Sequence, residues 1–222
     1  MRIAINQPYF IPYSGYFRLF DVDLFVFLDD AQYVDRSYIN RNILTKNDGS
    51  VDWFSIPLKN KPQETKINEL EFSLSAADDW KKKLRRFKVF GEGQTLFGYV
   101  VAETPRFRTP LYAIGAALDR AREELKISCP TTYSSKITSS LLPGLKGQDR
   151  ILAICEHFKA TEYVNAPGGK KLYDPVAFRE RGIGLKFLKP YGGEKISILE
   201  RLTFEKAADV RKEIDENVEF DS

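Results

Sequence analysis

Short apolar runs alternate with amphipathic stretches along the chain. Ile3-Ala4-Ile5 and Leu24-Phe25-Val26-Phe27-Leu28 show no polar alternation, the pattern of strands buried on both faces. Gly15 to Phe20 lies between them and has the length of a short helix. The opening therefore predicts β–α–β, with parallel strands and a right-handed crossover. Trp53 to Pro57 predicts another strand, which Pro57 ends or confines to a sheet edge. Leu70, Phe72 and Leu74 alternate as on one face of a further strand.

The middle of the chain changes period. Asp78-Asp79 open a predicted helix running to about Val89, their carboxylates suiting the positive end of its dipole. Leu111, Ile114, Leu118, Ala121 and Leu125 recur at spacings of 3, 4, 3 and 4, an amphipathic helix. Thr131-Thr132-Tyr133 predicts a strand leading into Ser134-Ser135. Ile151, Leu152, Cys155 and Phe158 mark one helix face, and Glu162-Tyr163-Val164 a following strand. Asp174 and Pro175 suit a helix cap and first position, with Gly182 to close that helix. Gly184 to Leu188 predicts a strand, and Phe204 to about Val218 a polar-rich helix. No repeat or linker interrupts the series. The fold class expected is α/β: one domain over residues 1–222, a mostly parallel Rossmann-like sheet, and a helical insertion near 78–126.

Composition narrows the function more than the fold. Basic residues number 34 against 31 acidic, a net charge of +3. The charges are intermixed, so nucleic acid is not an expected partner. No apolar run approaches the ~20 residues that span a bilayer. The chain opens directly on a strand-like segment, as expected of a cytoplasmic protein without a leader. Cys129 and Cys155 form no CxxC-type pair, so reduced, packed thiols are expected and no metal. His157 is the sole histidine and reads as structural. Ser–His–Asp and Cys–His chemistry therefore has little support.

Three strand-end loops have unusual composition, and parallel sheets bind ligands at such ends. The first runs from Asn6 and Gln7 through Tyr9, Tyr13, Gly15 and Tyr16. Its rings and glutamine amide could form a stacking surface with a polar handle, or an aromatic mini-core. The second begins at Asp29-Asp30, passes Gln32 and reaches Asn40-Arg41-Asn42. A strand-end carboxylate can accept a proton or orient a hydroxyl, and a guanidinium suits phosphate; a buried Asp–Arg tether is the alternative. The third is Asn165 to Gly169. Gly168-Gly169 could expose amides to an anion or be a plain turn, and no GxxxxGK[ST] or GxGxxG accompanies them.

Gln7-Pro8, Pro12, Gly15-Tyr16-Phe17, then Asp23, Phe25 to Asp30, Gln32-Tyr33 and Asn40-Arg41-Asn42 together resemble the WbqC-like family. Weaker echoes follow at Trp53, Trp80, Ser134-Ser135, Asn165, Gly168-Gly169 and Ser197-Ile198-Leu199. The resemblance implies a part in making O-antigen or related surface glycans, on a nucleotide-linked sugar, and it adds Ser134 and Ser135 to the substrate-binding set. Asn6 and Leu84 stand where many relatives carry histidine, so a role for those histidines would be lost or altered here. Tyr13-Ser14-Gly15-Tyr16 also looks like the His-x-Gly-His opening of nucleotidylyltransferases, with tyrosine in place of both histidines.

The leading expectation is a transferase that N-acylates or aminoacylates a nucleotide-linked amino sugar. Asp29 or Asp30 would take the proton, and an acyl or aminoacyl donor would be required. Arg41 and Gly168-Gly169 would hold diphosphate, and the Tyr9–Tyr16 rings would stack on base or sugar. The alternatives are an ATP- and magnesium-dependent ligase or nucleotidylyltransferase, and a non-catalytic scaffold of a glycan assembly pathway. All share one geometric requirement: Gln7, Asp30, Arg41 and Gly168 should face a common hollow.

Overall fold

The structure, a computed structural model, describes residues 1–91, 95–137 and 144–221. In chain order, β1 (Arg2–Asn6) and β2 (Leu24–Phe27) are joined by a 3-10 helix over Ser14–Phe20, and β3 (Arg41–Thr45) and β4 (Val51–Ser55) form a hairpin. Helices α1 (Ala76–Leu84), α2 (Leu96–Ala102) and α3 (Pro110–Glu124) follow, then β5 (Thr131–Tyr133). The remainder alternates: α4 (Gly147–His157), β6 (Glu162–Asn165), α5 (Pro175–Glu180) and β7 (Gly184–Phe187), closing with α6 (Ile198–Phe204) and α7 (Ala207–Glu216).

Five strands form one sheet in the order β5-β2-β1-β6-β7, and every adjacent pair is parallel. The central strands are apolar because both faces are covered. Ala4, Phe25, Phe27 and Val164 join a core containing the 3-10 helix, α2, α3, α6 and α7. Ile3, Ile5, Val26 and Tyr163 point the other way, onto Ile151, Leu152, Cys155 and Phe178 of α4 and α5. Successive strand residues thus serve opposite layers, as the two-residue period requires. The crossovers β1-to-β2 and β2-to-β5 lie on the first face, and β5-to-β6 and β6-to-β7 on the second. The chain therefore changes direction between β1 and β6.

Local signals act as read at several termini. The Asp174 side chain accepts from the Val176 amide at 2.9 Å, and Gly182 has φ +71° just past α5. Four predicted elements differ. The helix expected from Asp78 to about Val89 is α1, which ends at Leu84 and is followed by a separate 3-10 turn over Lys88–Phe90. Leu70 to Leu74 is not a strand: Phe72 makes one bridge with Leu58, Leu70 is buried and Leu74 is fully exposed. The Lys59 amide donates to the Glu71 carbonyl at 3.0 Å and the Ser73 amide to the Pro57 carbonyl at 3.1 Å, so the pairing is confined to that one bridge and no longer ladder forms. Arg41-Asn42, read as loop, begins β3. The helix expected to start near Phe204 is α7, which begins at Ala207, and it is preceded by α6, a helix that ends at Phe204 and was not expected.

The C-terminal segment is tied down by a buried cation. Arg18 donates to the carbonyls of Gly15, Lys189 and Asn217 at 3.1, 3.0 and 2.9 Å, with its guanidinium carbon 5.0 Å from the Tyr191 ring centre.

Candidate functional site

The sheet's change of direction opens a crevice at the carboxyl ends of β1 and β6, where the outgoing chains part. It encloses about 350 Å³. Asn6, Gln7 and Tyr9 enter it from β1, Leu28 from the end of β2, and Asn165, Gly168, Gly169, Leu172 and Tyr173 from beyond β6. Ile5 and Ile151 add apolar surface. Among the described residues, none that lines it carries a carboxylate, ammonium or guanidinium. The polar groups are amides and phenols, which can both donate and accept. Burial raises the pKa of Tyr9, so its phenol stays neutral at ordinary pH. Such a lining fits a neutral polyhydroxyl ring more closely than a bare anion.

Each wall is held rigidly. The Asn6 side-chain oxygen accepts from the Gln7 amide at 2.8 Å, and Asn165 repeats this with Ala166 at 2.7 Å. Both asparagines thus fold their strand ends into the loops while keeping an NH₂ group to offer. A methyl group on Gly169 would sit 2.4 Å from the Asn165 amide nitrogen, so only glycine permits that approach. The glycine loop is a 3-10 helix, Pro167–Leu172, and the Gly169 amide donates to the Ala166 carbonyl at 3.0 Å. That amide is thus engaged within the loop.

Asp29 and Asp30 sit just beyond Leu28 and have different surroundings. Asp29 is buried, and its carboxylate accepts from the Ser134 hydroxyl (3.1 Å), the Ser135 amide (2.9 Å) and the Ser135 hydroxyl (2.6 Å). It latches the end of β2 to the end of β5. Asp30 pairs with Arg150 and lies within reach of the Ser134 hydroxyl. Arg150 and Asp30 lie close in the chain to the crevice residues Ile151 and Leu28, but neither side chain lines the crevice.

The second loop is divided between two places. Arg41, on β3, lies away from the crevice in a separate hollow of about 340 Å³ with Tyr33, Arg36 and Lys61. Asn40 and Asn42 are buried. The Asn40 carbonyl accepts from the Tyr33 hydroxyl at 2.8 Å, and the Asn42 amide donates to the Ile11 carbonyl at 2.7 Å. Ile11 has φ +40°, an uncommon conformation for a β-branched residue, and its carbonyl also accepts from Ser197 at 2.9 Å. Asn42 therefore positions the β1 loop. Gln32 is exposed and donates to the Gln63 carbonyl at 2.9 Å.

The Tyr13–Tyr16 segment is packed. A methyl group on Gly15 would meet the Tyr13 ring at 2.3 Å and the Tyr191 ring at 2.7 Å, so the side-chain side of this glycine is filled by those rings. Tyr16 is buried and donates to the Gln7 carbonyl at 2.8 Å. The shared hollow thus gathers Gln7, Tyr9, Asn165, Gly168 and Gly169, with Asp30 and Arg41 outside its lining. Sequence reading left Tyr173, Leu172 and Arg150 out of the site. The strand order alone would have pointed to Tyr173, because it lies on the chain leaving β6. Among the described residues no three His, Cys, Asp or Glu side chains gather as a metal would require, and no helix is long and apolar enough to cross a membrane.

The fold is that of a doubly wound α/β protein with a crevice, lined by amides and phenols, at the reversal of strand order. The chain belongs to the WbqC-like protein family, whose model matches residues 7–195. It is 29% identical over 192 residues to the uncharacterized protein Rv1507c of Mycobacterium tuberculosis, a match covering 82% of this chain and 79% of that one. No solved structure matches it.

Proposed function

We propose that the protein is a transferase that N-acylates or aminoacylates an amino sugar carried on a nucleotide, in the assembly of a bacterial surface polysaccharide. The observation that carries this reading is the uncharged amide-and-phenol lining of the strand-end crevice. Sugar rings present hydroxyls at their edges and apolar C–H faces. Asn6, Gln7 and Asn165 suit the first, and Tyr9, Tyr173, Leu172 and Ile151 the second. Family membership supports the pathway assignment through the association with surface-glycan genes.

In the reaction, the sugar nitrogen attacks the acyl carbonyl, a C–N bond forms, and the bond from the acyl carbon to its leaving group breaks. The nitrogen loses a proton, which Asp30, close in the chain to the crevice residue Leu28, accepts. Asp29 suits that role less well, because it is buried and tied to Ser135 by two hydrogen bonds, whereas Asp30 is only partly buried. The ATP-dependent alternative finds no support at Gly15, where the Tyr13 and Tyr191 rings fill the side-chain side of the glycine.

The test is a melting-temperature titration with a panel of nucleotide amino sugars and their N-acetyl forms. Binding to the folded state raises the melting temperature with ligand concentration. At least one nucleotide sugar should stabilise the wild type and fail to stabilise Asn165→Ala. If none shifts the transition, the reading is wrong. If one binds and no acyl transfer follows from any donor, the protein is a binding module.

A further inference from the structure

The hollow that holds Arg41 shares no lining residue with the crevice. We propose that it is a separate phosphate-binding subsite, in which Arg36, Arg41 and Lys61 take the mono- or diphosphate of a phosphorylated small molecule.

Charge is the first ground. Three cations and one carboxylate, Asp35, line the hollow. Lys61 pairs with Asp35 at 2.9 Å, while neither arginine makes an ion pair among the described residues. Two guanidinium groups in one concavity without counter-charge suit an anion.

Preorganisation is the second. The Arg41 guanidinium carbon lies 3.9 Å from the Trp53 ring centre, and the group also donates to the Arg36 carbonyl. Its buried Nε has no partner among the described residues. A guanidinium serving only as a brace would have that donor satisfied. Arg36 has φ +58°, left-handed backbone that a non-glycine residue adopts only when its surroundings impose it. The Lys61 ammonium stands 4.4 Å from the Tyr33 ring centre, and the Tyr33 hydroxyl is fixed on Asn40. Arg41 and Lys61 are thus held in place before any ligand arrives, while the exposed Arg36 side chain is free to close on the anion.

A row of rings leads from this subsite toward the crevice. Tyr38 is 6.1 Å from Trp53 and 6.1 Å from Tyr9, which lines the crevice. A nucleotide diphosphate can stack on exposed Tyr38 and gain affinity that inorganic pyrophosphate lacks.

The experiment titrates the folded protein with inorganic pyrophosphate and with UDP at low salt, following tryptophan fluorescence. Trp53 touches Arg41, whereas Trp80 is buried elsewhere and gives a constant background. Saturable change is expected with both probes, weakening as salt rises. Arg36→Gly keeps the left-handed backbone and removes a charge, and Lys61→Met removes another. Each should weaken binding about tenfold, the worth of a charge-assisted hydrogen bond. Tighter binding of UDP identifies a nucleotide as the source of the phosphate, and equal binding identifies phosphate itself; either supports the subsite. No saturable response, or one unchanged in both variants, overturns it. Asn165→Ala should bind pyrophosphate normally. Loss there would place the anion in the crevice and refute the separate subsite, whatever becomes of the sugar reading.

Discussion

Ser135 closes on Asp29 with two donors, its backbone amide at 2.9 Å and its hydroxyl at 2.6 Å, and so joins the ends of β5 and β2. Adjacent carboxylates have thereby acquired different duties. Asp29→Ala would leave both Ser135 donors without their acceptor, while the Ser134 hydroxyl keeps Asp30, and is expected to cost about 2–4 kcal/mol. Asp30→Asn keeps the shape and should cost about 1–2 kcal/mol. Activity should show the reverse order, with Asp30→Asn losing on the order of a hundredfold in kcat, as removal of a proton acceptor does. Urea unfolding gives the first comparison and acyl-transfer rates the second. Equal destabilisation by both variants would remove the distinction.

The two loop glycines should behave oppositely. A methyl group at Gly168 meets nothing within 4 Å, whereas one at Gly169 strikes the Asn165 amide at 2.4 Å. Gly168→Ala is expected to leave stability within about 0.5 kcal/mol of wild type. Gly169→Ala should cost about 1–3 kcal/mol as an overpacking change and abolish nucleotide-sugar binding. Calorimetric titration and thermal melts on the pair decide it; equal effects would mean that the Gly169–Asn165 approach does not shape the crevice.

These residues show what could be read from sequence and what could not. β1 and β2 were legible because strands buried on both faces are uninterrupted apolar runs, whereas β6 and β7, which carry Glu162 and Lys186, were legible from their alternation with helix signals. β3 was hidden because its inward residue Asn42 is polar, bonded to the Ile11 carbonyl, and its outward Ile43 is apolar and exposed; the usual alternation is inverted. α6 was hidden because Glu200 and Arg201 are buried within it, which removes a clean apolar face. The crevice was legible where it depended on strand ends: Gln7, Tyr9 and Asn165 follow from the topology. Arg41 was misplaced because sequence proximity to Asp30 says nothing about the hairpin that carries it away.

Asn42→Ala tests how firmly the β1 loop is held. The Asn42 amide and the Ser197 hydroxyl share the Ile11 carbonyl at 2.7 and 2.9 Å and hold its φ at +40°. Removing Asn42 should cost about 1–3 kcal/mol through the buried carbonyl's lost partner. It should also weaken ligand binding in the crevice without touching a lining residue. Unchanged binding with normal folding would show that Ser197 alone suffices to set the loop.

The join between α6 and α7 should be acid-sensitive. Arg201 is almost wholly buried and donates to Glu213 at 2.7 Å and to Glu205 at 2.8 and 2.6 Å, while the Tyr191 hydroxyl also donates to Glu213. Hydrogen bonding from Arg201 is the main reason that the Glu213 carboxyl titrates below its ordinary value of 4.5, against the opposing effect of burial. The folded protein therefore binds that proton less readily than the unfolded chain. The stabilisation from Glu213 is complete above the ordinary carboxyl value and disappears as pH falls through the lower folded value. Below that value the protonated acid keeps the Tyr191 contact but loses its charge pairing with Arg201. Melting temperatures of wild type and Glu213→Gln, measured from about pH 7 to about pH 3, should converge on acidification, with wild type the more stable at neutral pH. A gap that stays constant across that range would show that Glu213 does not couple protonation to folding.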